Sequence, residues 1–299
     1  MHLQQEGLKM NLADGGFSVV MPARNEAGVI GRVVAELARL HPDAEILVVD
    51  DGSTDDTASV AREAGARVIS HPYSKGNGAA IKTGARAATR EIVVFMDSDG
   101  QHPPAEVAGL VAQLREREFD MVVGARDAAG QASAGRRAAN GVFNRFATWM
   151  VGHRIEDLTS GFRAVRRELF NEFLYLLPNG FSYPTTSTMA FFRSGYSVAY
   201  RPVNVLPREG KSHISSLRDG VKFLLIIFRV GTLYSPLRVY FPVSGLLLLL
   251  GLGYYAYTFC TQGRFTNMSA LMLTGSLVTF LFGLLSEQIT ALIYKRDRD

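Results

Sequence analysis

Asp97 and Asp99 stand one residue apart at the end of an apolar run, with Gln101 two residues further on. Carboxylates at that spacing can share one hard divalent cation, and Mg2+ or Mn2+ takes one or two carboxylates plus phosphate oxygens. Gln101 can add an amide oxygen. Aspartates carry the wrong charge to approach a nucleoside diphosphate unless a metal lies between. Two further polar clusters come after apolar runs: Pro22-Ala23-Arg24-Asn25-Glu26 and Asp50-Asp51-Gly52-Ser53-Thr54-Asp55. Taken singly, an acidic turn is often a helix cap, and Ser53 or Thr54 is placed to cap the next helix. Three such clusters at three run ends point to a site.

The elements that position them are set by hydrophobic patterning. Strand-like runs occupy Phe17–Met21, Ile46–Val49, Arg67–Ser70, Ile92–Met96 and Met121–Val123. Helical patterns occupy Glu26–Leu40, Asp55–Ala64, Gly78–Ala88 and Ala105–Arg115. Val29, Val33, Leu37 and Leu40 give the first helix an apolar face. The alternation predicts an α/β fold, a mostly parallel sheet with helices on both faces. Such sheets bind ligands at the carboxyl ends of their strands, which is where the three clusters fall.

These residues carry a resemblance. SVVMPARNE, VVDDGSTDDT, YSKGNGAAIKTG, VFMDSDGQHPP, VVGAR, DLTSGFRAVRR and PREGKSHIS span residues 17 to about 216. The chain resembles a family 2 glycosyltransferase of the GT-A nucleotide-diphospho-sugar transferase fold. The matching branch is that of dolichol-phosphate mannosyltransferase and bacterial polyprenyl-phosphate glycosyltransferases. The resemblance implies that Pro22, Ala23, Asn25, Glu26 and Ser98 line the nucleotide pocket. It implies that Asp51 holds the base or ribose side of the donor. Asp97-Ser98-Asp99 matches the DxD signature, with Gln101 as a further metal ligand. Arg126 matches an arginine that meets the acceptor phosphate. Arg136 and Asn140 stand where the family uses Arg and Ser on the acceptor loop. Arg208 and Ser212 match a later loop that closes over the diphosphate, with Ser212 turned toward the acceptor phosphate. The family commonly has Lys where this chain has His213, with Lys211 nearby, and the loop at residues 130–135 looks short.

The implied reaction is a Mg2+- or Mn2+-dependent, inverting transfer of a sugar from GDP-mannose or a UDP-hexose to polyprenyl phosphate. The physics agrees. A lipid monophosphate is already anionic near neutral pH and needs no strong general base. It needs positioning against the anomeric carbon, and arginine suits bidentate phosphate binding. Asp157 can orient an arginine, touch the sugar or cap a turn. Tyr183 and Pro184 open a segment placed to border the sugar pocket. Arg166 and Arg167 read as an exposed helix face. Phe143, Phe146, Trp149 and Met150 read as core or lipid-facing helix. His41, His71 and His153 show no ligand spacing.

The rest of the chain is set by charge and hydropathy. Its 299 residues carry net charge +4, and the mean hydropathy is +0.08. Residues 1–200 carry net −2, 201–238 net +5 and 239–299 net +1. A basic band confined to one segment gives little support to nucleic-acid binding. One cysteine, Cys260, excludes an internal disulfide framework and a Cys-based zinc cluster.

No charged residue occurs in 239–263 or in 265–286. Each stretch exceeds the roughly 20 apolar residues that a membrane span needs. The short connection around Arg264 predicts a hairpin of spans at about 239–261 and 267–290. Lys222, Arg229 and Arg238 precede it, and Lys295, Arg296 and Arg298 come after it. That bias places the catalytic domain and both termini in the cytoplasm, at a multi-pass position in the cell (inner) membrane. Tyr254, Tyr255 and Tyr257 suit a headgroup belt, and Glu287 falls at the interface or within the span. Gly245, Gly251, Gly253 and Gly275 would permit a homo-oligomer.

Residues 1–16 read as a polar tail without the apolar core of a signal peptide. Residues 17–214 read as the catalytic domain, 215–236 as an amphipathic interface helix, 237–294 as the two spans and 295–299 as a basic tail. On that interface helix Arg218, Lys222 and Arg229 fall within about 40° of one another. A processive polysaccharide synthase would carry Q-x-x-R-W, but the lone Trp149 follows Thr148. An inactive nucleotide-binding membrane adaptor would not need the DSD and arginine set. A nicotinamide-dependent dehydrogenase would need G-x-G-x-x-G after the first strand, and none is there.

Overall fold

The computed structural model describes residues 16–126, 134–180, 182–205, 228, 231–232 and 235–295, without side-chain detail at 134–140 and 293–295. They fall into two compact units, one from Met1–Arg145 with Arg154–Ile214, the other from Phe146–His153 with Ser215–Asp299.

The first unit is built on one sheet. Its strands are β1 (Phe17–Ala23), β2 (Glu45–Asp50), β3 (Arg67–Ser70), β4 (Ile92–Phe95), β5 (Met121–Arg126), β6 (Arg163–Arg166) and β7 (Val198–Val203). Their order is β3-β2-β1-β4-β6-β5-β7. β1 pairs parallel with β2 and β4, β2 with β3, and β5 with β7. β1 and β2 are buried almost throughout, as near-continuous Val/Ile/Leu runs covered on both faces should be.

Helices α1 (Ala27–Leu40), α2 (Thr57–Glu63), α3 (Asn77–Ala87) and α4 (Val107–Glu116) return the chain between parallel strands. Ile30, Val33, Val34 and Leu37 of α1, with Leu110 and Leu114 of α4, pack on Val19, Met21, Val48, Val94 and Val122. Burying each such side chain contributes about 1.5–3 kcal/mol.

The sheet is mostly parallel, as expected, and its antiparallel member is β6, which runs against both β4 and β5. A four-residue strand with arginine at each end does not announce itself by hydropathy. Arg166 ends this strand and does not sit on an exposed helix face. Its Nη1 lies 3.0 Å from Glu91 and its Nε 3.8 Å from Asp120. Arg167 opens α6 (Arg167–Glu172) and donates to the Ala88 carbonyl at 3.4 Å.

The start of α3 shapes a cleft at the strand ends. Its first amides have no side-chain cap. Gly78 N donates to Gly180 O at 3.1 Å and Ala79 N to Asn179 O at 2.9 Å. Lys82 Nζ adds a bond to Leu177 O at 2.9 Å. The orphan donors of a helix end are thereby satisfied by a distant segment, and that approach requires glycine. A Cβ on Gly78 would collide with the Pro178 carbonyl.

Further helices are α5 (Ala134–Val151), α7 (Tyr183–Arg193), α8 (Pro236–Gln262) and α9 (Asn267–Lys295). In the second unit, α8 and α9 are long and apolar enough to cross a membrane. Both extend past the boundaries expected from charge alone. Gly263, at φ +60, ends α8 with its N–H on Phe259 O, the left-handed cap typical of a helix end. Thr266 Oγ1 then accepts the Ser269 amide at 3.3 Å and starts α9.

Polar contacts fix the register of this pair. Ser276 Oγ donates to Ser244 O at 2.7 Å. Glu287 Oε2 accepts the Leu237 amide at 3.3 Å, giving a partner to an amide at the start of α8. Gly251 lies against Met272 and Leu273. Arg238 Nη1 donates to Trp149 O and Met150 O, both at 2.7 Å, and so satisfies two terminal carbonyls of α5.

Gly78→Ala is expected to lower stability by about 2 kcal/mol, because a backbone carbonyl must move. Gly28→Ala, where a Cβ meets nothing within 4 Å, is the matched control. Thermal melting of the purified protein distinguishes the two. Equal melting temperatures would contradict the close approach.

Candidate active site

The carboxyl ends of β1, β2 and β4 and the start of α3 enclose a cleft of about 450 Å³. Of the residues assigned from sequence to donor and metal, Pro22, Ala23, Glu26, Asp51, Asp97, Ser98, Asp99 and Gln101 line it. Arg24, Ser74, Gly76 and Asn77 line it as well and were not singled out from sequence. The YSKGNG and PARNE stretches held the signal, since both were already grouped with the motifs.

Asn25 braces the wall. At φ +55, its Oδ1 accepts the Thr54 amide at 2.8 Å, and its own N–H donates to Ser53 Oγ at 3.0 Å. Ser98 is similarly engaged, donating to Pro22 O at 2.8 Å and tying the end of β4 to β1. Helix capping after β2 falls to neither Ser53 nor Thr54. Asp55 Oδ1 accepts the Thr57 amide at 3.1 Å, while its Oδ2 accepts Ala27 N at 3.2 Å.

The two carboxylates of the DSD turn differ. The Asp97 side chain is 39% exposed, whereas Asp99 is buried and its Oδ1 accepts the Gln101 amide at 3.1 Å. Among the described residues no cluster of three or more His, Cys, Asp or Glu groups exists to enclose a metal. Two carboxylates with a neighbouring amide, open to a cleft, fit Mg2+ or Mn2+, which complete their shells with phosphate oxygens and water.

Behind them His102 stacks on Phe162 at 4.9 Å, with Nδ1 4.0 Å from Asp97 Oδ2. Burial pushes its pKa down, against the opposing pull of Asp97 and Asp99.

Tyr183 and Pro184 are not among the residues that line the cleft. Tyr183 is buried, its hydroxyl donates to Gly161 O at 2.9 Å, and its ring packs on Phe95 at 6.2 Å. The Ser and Thr residues of α7 serve Arg163, which is fully buried. Arg163 Nη1 donates to Ser187 Oγ at 2.7 Å, Thr188 Oγ1 at 3.1 Å and Pro184 O at 3.1 Å. Its Nη2 reaches Ser160 O.

Arg126, at the end of β5, is held by Asp157. Nε donates to Oδ2 at 2.8 Å, Nη2 donates to Oδ1 at 3.0 Å, and Nη2 also meets Thr159 Oγ1. Of the three sequence alternatives for Asp157, the geometry realises two together, holding the arginine and capping the turn that comes after it. It accepts the amides of Thr159 and Ser160, at 3.0 and 3.1 Å. Burial opposes its charge, but hydrogen bonds and charge from Arg126, with amides of Thr159 and Arg126, hold the carboxyl below its ordinary value. Arg136 and Asn140 lie on α5, without side-chain detail. Arg208, Ser212, Lys211, His213 and most of the expected interface helix lie outside the described residues.

A carboxyl whose folded pKa is depressed stabilises the fold above its unfolded pKa and loses that contribution as pH falls through the folded value. Melting is therefore expected to hold from pH 7 to about pH 4 and to fall below it. Asp157→Asn should start about 2 kcal/mol less stable at pH 7 and lose less on acidification. Parallel pH–melting curves for the two proteins would refute this account.

Residues 18–174 match glycosyl transferase family 2, and residues 235–292 match the GtrB C-terminal hairpin. A dolichyl-phosphate hexose transferase of Haloferax volcanii is 33% identical over 206 residues, 68% of this chain and 89% of that protein. A polyprenol monophosphomannose synthase of Mycolicibacterium smegmatis is 30% identical over 221 residues, 68% and 83% of the two chains. The glucosyl-3-phosphoglycerate synthase of Mycobacterium tuberculosis, solved with Mn2+ and uridine-diphosphate-glucose, superposes with a TM-score of 0.61. Its identity is 26%, over 76% of this chain and 82% of that one. The first unit thus has the GT-A fold, and with the match running over more than half of its length, this chain belongs to glycosyl transferase family 2.

Proposed function

We propose that this protein transfers a hexose from a nucleoside-diphosphate donor, GDP-mannose or a UDP-hexose, to the phosphate of a polyprenyl phosphate. The observation that carries this reading is the cleft that gathers Asp51, Asp97, Asp99 and Gln101 at the strand ends. Relatives that act on dolichyl and polyprenol phosphates, and the apolar hairpin, support a lipid acceptor.

Asp97 and Asp99, with Gln101, would hold Mg2+ or Mn2+. Once bound, the ion supplies neutralisation of the charge that develops on the leaving nucleoside diphosphate. Pro22, Ala23 and Glu26 form the donor wall, which Asn25 and Ser98 brace. Arg126, pre-oriented by Asp157, presents its guanidinium to the acceptor phosphate, with Arg136, Asn140 and Ser212 as further acceptor contacts. Arg208 closes over the diphosphate.

An acceptor phosphate oxygen displaces the nucleoside diphosphate from the anomeric carbon, with inversion and no covalent enzyme intermediate. No proton must be removed from a phosphate monoester that is already anionic, so the chain needs no base at the reacting oxygen. Its contribution is positioning and charge. Residues 17–214 act as the catalytic domain and 215–236 as an interface helix. The hairpin of residues 237–294 anchors them in the cell membrane, with the catalytic domain and both termini in the cytoplasm.

Full-length protein with Mg2+ or Mn2+, polyprenyl phosphate and a panel of radiolabelled UDP- and GDP-sugars should yield a glycosyl-phosphoryl-polyprenol in the lipid extract. Asp99→Ala should lower that yield on the order of a hundredfold or more. Undiminished transfer by the variant would remove Asp99 from the metal site.

A further inference from the structure

The segment that leads into β6 lies against the DSD turn, and its glycine sets how closely. A Cβ on Gly161 would stand 3.3 Å from both Asp97 Oδ1 and Asp97 Oδ2, and 3.1 Å from the Tyr183 hydroxyl oxygen. Gly161 is not one of the glycines at positive φ. Its missing side chain therefore answers to space and not to backbone conformation. What occupies that space is the more exposed carboxylate of the DSD pair, since Asp99 is buried.

The segment is fastened carbonyl by carbonyl. Ser160 O accepts Arg163 Nη2, Gly161 O accepts the Tyr183 hydroxyl at 2.9 Å, and Phe162 O accepts the Gly124 amide at 2.9 Å. The three donors come from β6, α7 and β5. Ser160 N donates in turn to Asp157 Oδ1 at 3.1 Å. Arg163, Tyr183 and Phe162 are all buried, and the Phe162 ring stacks on His102. A close-packed interior leaves such a segment little room to retreat.

An exposed carboxylate has several rotamers open to it, and a cation site needs one of them. Metal–oxygen distances tolerate only about 0.2 Å of error. A Cβ at 3.3 Å from each oxygen is too close by a few tenths of an ångström. Because the segment is held on every side, the carboxylate is the partner that would have to move.

We propose that the Ser160–Gly161 peptide is a backstop that holds the Asp97 carboxylate where a divalent cation needs it, with Gly161 and Tyr183 as positioning residues and Arg163 as the fastening beneath. This rests on the reading of the cleft as the site of a nucleoside diphosphate and its cation. None of the three residues lines the cleft. They act through Asp97.

The test is titration of full-length, detergent-solubilised protein with Mn2+ in the presence of UDP or GDP. Water-proton relaxation distinguishes Mn2+ on the protein from Mn2+ on nucleotide alone. Wild-type uptake of Mn2+ with either nucleotide checks the donor-site reading by itself. Gly161→Ala should weaken Mn2+ binding about tenfold, the scale on which groups behind metal ligands act. Tyr183→Phe keeps the ring that packs on Phe95 and removes only the hydroxyl. It should weaken binding about threefold, so the backstop stays testable if Gly161→Ala melts early.

In steady-state transfer each variant should need correspondingly more Mn2+ for half-maximal rate. Excess Mn2+ should return most of kcat, with the acceptor KM near wild type throughout. A fold merely loosened by either change would not respond to the ion. Wild-type Mn2+ affinity in both variants would overturn the backstop. So would a loss of rate that excess Mn2+ leaves in place. A wild type that takes up no Mn2+ with either nucleotide would overturn the donor-site reading itself, and the backstop with it.

Discussion

Like charge crowds the carboxyl ends of this sheet. Asp50, Asp51, Asp55, Asp97, Asp99 and Asp157 all lie around the ends of β1, β2, β4 and β5, in a protein whose proposed substrates are anions. Unpaired carboxylates that close together would repel one another and any phosphate. The fold meets the constraint by division. Asp50 accepts the Ser53 amide, Asp55 the Thr57 and Ala27 amides, Asp51 four donors, and Asp157 an arginine with two amides. Asp97 keeps the exposed side chain. The site is defined as much by which carboxylates are satisfied within the chain as by which are left open to a cation.

The same constraint gives Arg163 a rationale. A fully buried guanidinium among hydroxyls and carbonyls, with no carboxylate bonded to it, is costly by itself. Burial depresses its pKa, while Tyr183, Tyr200, Asp157 and Asp97 oppose that shift. Its charge counters the acidic edge from beneath. The polar face of α7, unusual for a helix with its residues buried, is the solvation shell this cation needs in place of water.

Legibility in the sequence followed burial. β1, β2 and β4 were readable because both of their faces are covered, which writes an unbroken apolar run. β6 was not, because Arg163 and Arg166 bracket it and burial of an arginine leaves no hydropathy signal. β7, only partly buried until Val203, gave none either. Within the site, residue types foretold which side chains gather but not which bonds they make. Ser98 and Asn25 lie where the motifs put them, yet their polar atoms face the chain. His71 carried no ligand spacing, and its partners are Asp51, 20 residues earlier, and Thr83, 12 residues later. The parallel pairing of β2 with β3 sets His71 beside Asp51, and α3 brings Thr83 to its other side.

The hairpin carries a consequence for how far either of its helices is complete by itself. The amide of Leu237 finds its carboxylate on Glu287, 50 residues further along, and the Ser244 carbonyl finds its hydroxyl on Ser276, 32 residues further. In an apolar surrounding, a polar backbone group left without a partner is costly. Of these two bonds, that of Leu237 gives a partner to an amide at the start of α8, and that of Ser276 gives one to a hydroxyl on α9, so each helix settles a polar group of the other.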